Sequence, residues 1–139
     1  MQTFGEYKGS NNQEIDMTRS LGSEIDECFS DLLRFQSQLK IMHWGTSSYA
    51  EHKAYGMIYE DIDEKLDTLV EAYQGCHGKI DFLQCGFVSF TEVDVNGWLS
   101  GVKHSIKRLR EEVEEDDLKN LIDEISSSVS KLKYLLTLK

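Results

Sequence analysis

The sequence predicts an all-α protein, a bundle of four helices with one long connection between the second and third. Three observations predict it. The 139 residues contain no proline, so nothing forces a break in a long helix. Apolar residues recur at alternating steps of four and three through four separate stretches, the spacing of a helix with one buried seam. Two of the breaks between these stretches are short and one is long, which restricts how the helices can be joined.

Residues 1–14 are rich in Gly, Asn and Gln and are expected to form a flexible tail. Residues 15–139 then make a single domain, with α1 over about 15–44, α2 over 48–75, α3 over 92–115 and α4 over 117–137. The stripe of α1 is Leu21, Ile25, Cys28, Leu32, Phe35, Leu39 and Met42. Gly45-Thr46-Ser47-Ser48 ends it, and a serine there is a natural N-cap for α2. The stripe of α2 is Tyr55, Ile58/Tyr59, Ile62, Leu66, Leu69 and Tyr73, with Gly75 and Gly78 as stop signals. Thr91-Glu92-Val93-Asp94 resembles a capping box for α3, with Asp94 and Asn96 as rival caps. Val95, Leu99, Val102, Ile106, Leu109 and Val113 form its stripe. Asp116-Asp117 marks a tight turn into α4, whose stripe is Leu118, Ile122, Ile125, Val129, Leu132 and Leu136. Ser126-Ser127-Ser128 lies inside that stripe and is therefore helical.

The short breaks make α1–α2 and α3–α4 antiparallel hairpins. A connection of about 18 residues reaches ~60 Å at ~3.3 Å each. A helix of about 28 residues is only ~42 Å long, so this crossover can run the whole bundle. It carries Phe82, Leu83, Phe87, Val88 and Phe90, and so apolar a segment must lie against the bundle or a partner.

Apolar content of 40% and charged content of 29% describe an ordinary soluble domain, large enough for a real core. No apolar run spans a bilayer, and the polar start, Met1 to Asn12, lacks the apolar centre of a secretory signal. The cytoplasm is the expected location. A net charge of −10 repels nucleic acid and anionic membranes and suits cations, basic partners or plain solubility. Cys28, Cys76 and Cys85 match no zinc knuckle. Cys28 reads as a small core hydrophobe, Cys76 and Cys85 as reduced loop thiols.

The chemistry concentrates in His43-Trp44, His52, Asp67 and Glu71. His43 ends α1 and His52 begins α2, so the hairpin can bring the two rings together. Asp67 and Glu71 lie at i and i+4 and point the same way. His52 and Asp67 are 15 positions apart, roughly 22 Å along a helix, so one chain cannot close all four on one ion. A second copy, with its α2 antiparallel about a two-fold axis near residue 60, would set His43 and His52 against Asp67 and Glu71 of its mate, twice per dimer. Imidazole with carboxylate suits Fe(II), Zn(II) or Mn(II). On a helical wheel His52, Asp63, Asp67, Glu60 and Glu71 flank the core stripe, where Val70 and Tyr59 would help bury them; Glu60 and Asp63 are possible extra ligands. Two other roles remain open: a helix-end histidine can serve helix C-terminal carbonyls, and the acids can form a solvated face. His77 and His104 are isolated. Lys103, Lys107, Arg108 and Arg110 precede Glu111, Glu112, Glu114 and Glu115, which suggests pairing along α3. Neither a phosphate-binding glycine loop nor a Ser-His-Asp signature is present.

These residues resemble the Dps type of the ferritin-like superfamily. The shared pattern is His43-Trp44, an aromatic in the loop (here Tyr49), His52 on α2, and Leu66-Asp67-Thr68-Leu69-Val70-Glu71. The resemblance implies a ferritin-like bundle and an intersubunit site for Fe(II), oxidised to Fe(III), built from His43 and His52 of one chain and Asp67 and Glu71 of the next. Trp44 would stand beside it. Gly56 occupies the position of that pattern's first α2 acid, and the loop between the histidines is shorter. The chain is also similar to small uncharacterised proteins of tailed phages that carry His-Trp-x-Thr-x-Ser-Tyr-Ala-x-His and, later, Glu-Ala-Tyr-Gln-Gly. His43 to His52 and Glu71 to Gly75 fit. That likeness carries over no function and implies only a viral accessory protein, in the host cytoplasm if phage-encoded. Gly56 and the acidic surface motivate the alternative of a non-catalytic bundle that binds a host protein or sequesters a ligand.

Overall fold

A computed structural model describes residues 17–82 and 93–139, with side chains from Glu24 onward. The expected N-terminal tail and most of the apolar crossover, including Cys85, lie outside the described residues. Among the described residues there are four helices: α1 (Met17–Gly45), α2 (Tyr49–His77), α3 (Val95–Glu112) and α4 (Asp116–Leu135). Ser126-Ser127-Ser128 is helical, as its stripe requires.

Local chemistry sets the ends. Ser48 is the N-cap of α2, in extended conformation, its hydroxyl accepting the Glu51 amide at 3.3 Å. The Thr46 hydroxyl donates to the Glu51 carboxylate at 2.6 Å and accepts the Ser48 amide at 3.1 Å. The turn thus satisfies donors that a bare helix start would leave open. Asp94, and not Asn96, caps α3 by accepting the Gly97 amide. At the other end of α2, Gly75 lies inside the helix and Gly78 terminates it with φ +88°, a conformation that costs any residue with a Cβ. Cys76 is therefore on the last turn of α2 and not in a loop. The Gln74 side chain accepts the Ile80 amide at 3.1 Å and folds the exit back on the core, where Ile80 is buried.

Each helix touches two others: α1 packs on α2 and α3, and α4 packs on α2 and α3, while α1–α4 and α2–α3 are diagonal. Side-chain pairs give the directions. Phe29 meets Tyr73 and His43 meets His52, so α1 and α2 are antiparallel. Phe35 meets Trp98, and Asp31 accepts from Ser105, so α1 and α3 are antiparallel. Lys65 reaches Ser128 while His77 reaches Glu115, so α2 and α4 are antiparallel. The end of α2 and the start of α3 consequently sit toward opposite ends of the bundle. The core lies on the predicted stripes: Leu32, Phe35 and Leu39, then Ile58, Ile62 and Leu69, then Leu99 and Leu109, then Leu118, Ile122 and Val129; Phe29, fully buried beside Cys28, was not on the predicted α1 stripe.

Two basic side chains of α3 tie it to its neighbour α4. Lys103 donates to Ser126 and Ser130 of α4 at 2.6–2.8 Å. Arg110 pairs with Asp123 of α4 at 2.7 Å. Lys103 and Arg110 thus reach across to α4 and not along α3: the residue four beyond Lys103 is Lys107, and Glu114, four beyond Arg110, lies past the end of α3 at Glu112. Among the described residues, no helix is long and apolar enough to cross a membrane.

Candidate functional site

The two histidines at the α1–α2 turn form a reciprocal clasp. His43 Nδ1–H donates to the His52 carbonyl at 2.7 Å, and His52 Nδ1–H donates to the His43 carbonyl at 2.8 Å. A carbonyl can only accept, so both protons must sit on Nδ1. The rings stack with centroids 3.8 Å apart and planes 19° apart. One of the carbonyls belongs to the last turn of α1, where the helix supplies no donor of its own. The clasp therefore does structural work, as the alternative role for a helix-end histidine implies. It also fixes the tautomer: in the neutral rings each Nε2 keeps its lone pair, and no hydrogen bond among the described residues occupies either one.

Gly56 makes this possible. A Cβ at position 56 would lie 2.8 Å from His43 Cε1 and Nδ1. The His43 ring rests on the bare backbone of α2, one turn below His52. Gly56 is thus more than an acid missing from a ligand pattern; its place is filled by the imidazole.

The four predicted ligands are not brought together in one chain. His43 and His52 are half-buried, whereas Asp67 and Glu71 are exposed farther along α2. Among the described residues, no group of three or more His, Cys, Asp or Glu side chains could hold a metal ion. Glu60 and Asp63 are exposed as well, and Asp63 accepts the Gln36 amide. The acids do not lie half-buried at a core edge as the wheel suggested. They point to solvent, because Glu60, Asp67 and Glu71 fall on the side of α2 roughly opposite the core stripe of Tyr55, Ile58, Ile62, Leu66, Leu69 and Tyr73.

Around the clasp the surface is aromatic and basic. Trp44 is 69% exposed and Tyr49 73% exposed. Lys40 Nζ lies 4.5 Å from the Tyr59 ring centre and 5.4 Å from that of Trp44, and Lys53 Nζ lies 5.5 Å from that of Tyr49. Both lysines hold cation–π positions.

Two polar centres escaped the sequence reading. Asp61 accepts from Lys65 at 2.9 Å and from the buried Ser128 hydroxyl, while Lys65 also donates to Ser128 at 2.7 Å. Burial alone would raise the Asp61 pKa, but the Ser128 and Lys65 hydrogen bonds outweigh it and hold the carboxyl below the usual aspartate range. His77 is not isolated: its Nε2 meets the Glu115 carboxylate at 2.9 Å and its ring stacks on Tyr73. The bond from His77 is the main cause that lowers the Glu115 pKa. The i,i+4 spacing of Asp61 and Lys65 was visible; the partner serine on α4 was not.

The family model described as "Family of unknown function (DUF5856)" matches residues 43–136, opening at His43 itself. Among curated proteins, the chain is similar to the "Uncharacterized 14.6 kDa protein in mobD-ri intergenic region" of Enterobacteria phage T4. The two are 27% identical over 116 residues, 84% of this chain and 90% of the phage protein. No solved structure matches the chain significantly.

Proposed function

Since the chain belongs to the family of unknown function DUF5856, its role has to be argued from its own residues, and we propose that it is a ferritin-like, metal-binding bundle protein whose site forms between two copies. His43 and His52 of one copy would supply imidazole, and Asp67 and Glu71 of the other carboxylate. Fe(II) is the first candidate and Zn(II) or Mn(II) the others. One observation carries the reading. The clasp leaves two Nε2 lone pairs without a partner, and the same helix exposes two acids, Asp67 and Glu71, that form no ion pair among the described residues.

The donor set fits such an ion. Imidazole held through Nδ1 by a carbonyl is the usual support of a metal-bound histidine. The stacked rings, 3.8 Å apart, would each present one Nε2 to the ion. A bound Fe(II) would supply one-electron reduction of an oxidant such as O₂. The chain's own part is to hold the ligands in their metal-binding form.

A second reading is a non-catalytic phage accessory protein that binds a host protein or sequesters a ligand. Gly56 favours it, because the His43 ring fills the place where another carboxylate would enrich the site. Oxygen consumption with Fe(II) separates the two: rapid, saturable oxidation rejects the second reading.

The test of the first uses variants that keep the clasp. His43→Asn/His52→Asn preserves a donor near each Nδ1 and removes each Nε2; Asp67→Asn/Glu71→Gln removes the acids. Each variant alone should lose Zn(II) and anaerobic Fe(II) binding by calorimetry. An equimolar mixture should regain about one site per four chains, since random exchange makes half of the dimers mixed and each mixed dimer contains one intact site. Wild-type binding by either variant, or no recovery on mixing, would reject the intersubunit site.

A further inference from the structure

We propose that the outward stripe of α2 docks a second copy of this chain in antiparallel register, with the two-fold axis at Glu60 and Lys53 of each copy facing Asp67 of the other. The inference rests on the pairing just described, but it concerns what holds the copies together without metal.

The stripe is Tyr49, Lys53, Met57, Glu60, Glu64, Asp67 and Glu71, at steps of four, four, three, four, three and four. All seven are exposed. This is the periodicity of a helix–helix seam, on the side of α2 away from its core stripe, where Lys131 of α4 borders Met57, Glu60 and Glu64. The stripe is also electrically divided. Its first part carries Lys53, with Lys40 of α1 lying over Tyr59 nearby. Its second part carries four acids and no cation. Lys65, the one lysine in α2 beyond Lys53, is turned away to Asp61 and Ser128. Glu60, Glu64, Asp67 and Glu71 form no salt bridge among the described residues.

A parallel partner would set these acids against their own copies. An antiparallel partner with its axis at Glu60 sets residue 53 against 67 and residue 49 against 71. Both lysines then meet a carboxylate, Tyr49 covers Glu71, and only Glu60 faces its like. Charge complementarity of this kind selects the register. The Lys53 ammonium also stands where the proposed ion would neutralise Asp67, so metal-free copies have an internal substitute.

Sedimentation of the full chain in chelator tests it. Wild type should dimerise as concentration rises. Lys53→Glu should weaken the dimer by about tenfold or more, the loss of two attractive contacts and the gain of two repulsive ones. Lys53→Glu/Asp67→Lys should restore it, and Glu60→Gln should tighten it severalfold. A wild type that stays monomeric in chelator, an unaffected Lys53→Glu, or a swap that fails to rescue would overturn the proposal. A dimer that appears only with metal would overturn it and leave the metal site standing. A swap-rescued dimer that binds no metal would do the reverse.

Discussion

Replacing Gly56 by alanine pits two effects of known size against each other. Alanine in a helix interior is worth roughly 0.5–1 kcal/mol over glycine. Against it, the new Cβ would lie 2.8 Å from the His43 ring, which must leave. Leaving forfeits the hydrogen bond to the His52 carbonyl, about 0.5–1.5 kcal/mol. It also forfeits the ring stack, about 0.5–1.5 kcal/mol. The His52 carbonyl keeps its own bond in the α2 ladder, so no further penalty arises. The balance is a net destabilisation of about 0–2.5 kcal/mol, centred near 1 kcal/mol. In a His43→Ala background nothing occupies the space, and the same Gly56→Ala change should stabilise by roughly 0.5–1 kcal/mol. The sign should reverse between backgrounds. Urea unfolding followed by far-UV circular dichroism at about pH 8, where ordinary imidazoles are neutral, measures both. An equal gain in both backgrounds would refute the seating of His43 on Gly56 and the tautomer argument with it.

Ser48→Ala removes the cap on α2 and should cost about 1 kcal/mol in the same assay, while Ser48→Asp should be near neutral. Gly78→Ala places a Cβ at φ +88° and should cost about 1–3 kcal/mol. Asp61 titrates below its ordinary range in the folded protein, so its contribution is complete above about pH 4 and is lost as pH falls further through the folded pKa. Stability curves of Asp61→Asn and wild type should therefore run parallel from pH 7 to 5, and the wild type should fall more steeply below about pH 4. A curve for Asp61→Asn with the same acid slope would remove Asp61 from the Ser128–Lys65 network.

Much of the bundle was legible because each helix advertises one face. The stripes named the buried residues almost one for one, since a 3.6-residue period with a single apolar side has one packing solution. The hairpin that joins His43 to His52 followed from a four-residue break. What periodicity cannot show is which atoms meet across a seam. Gly56 stands in sequence as an absent side chain and becomes meaningful only when a ring from another helix lies on it. Ser128 reads as one of three serines, and its buried tie to Asp61 depends on the register of α2 against α4. The wheel placed the acids of α2 by angle from the core. At ~100° per residue Glu60, Asp67 and Glu71 fall nearly opposite the stripe and not beside it, so their exposure was legible in those angles.

The diagonal placement of α1 and α4 has a mechanical consequence. Met17 and Leu135 end at opposite extremes of the long axis, and neither helix touches the other. A load applied between them cannot peel one contact at a time. It must slide α1 along both α2 and α3 and slide α4 along the same two, loading all four seams in shear together. Stretched from these two points, the bundle should yield abruptly, whereas a pull between the start of α1 and the end of α2, at the open end of that hairpin, would unzip a single seam.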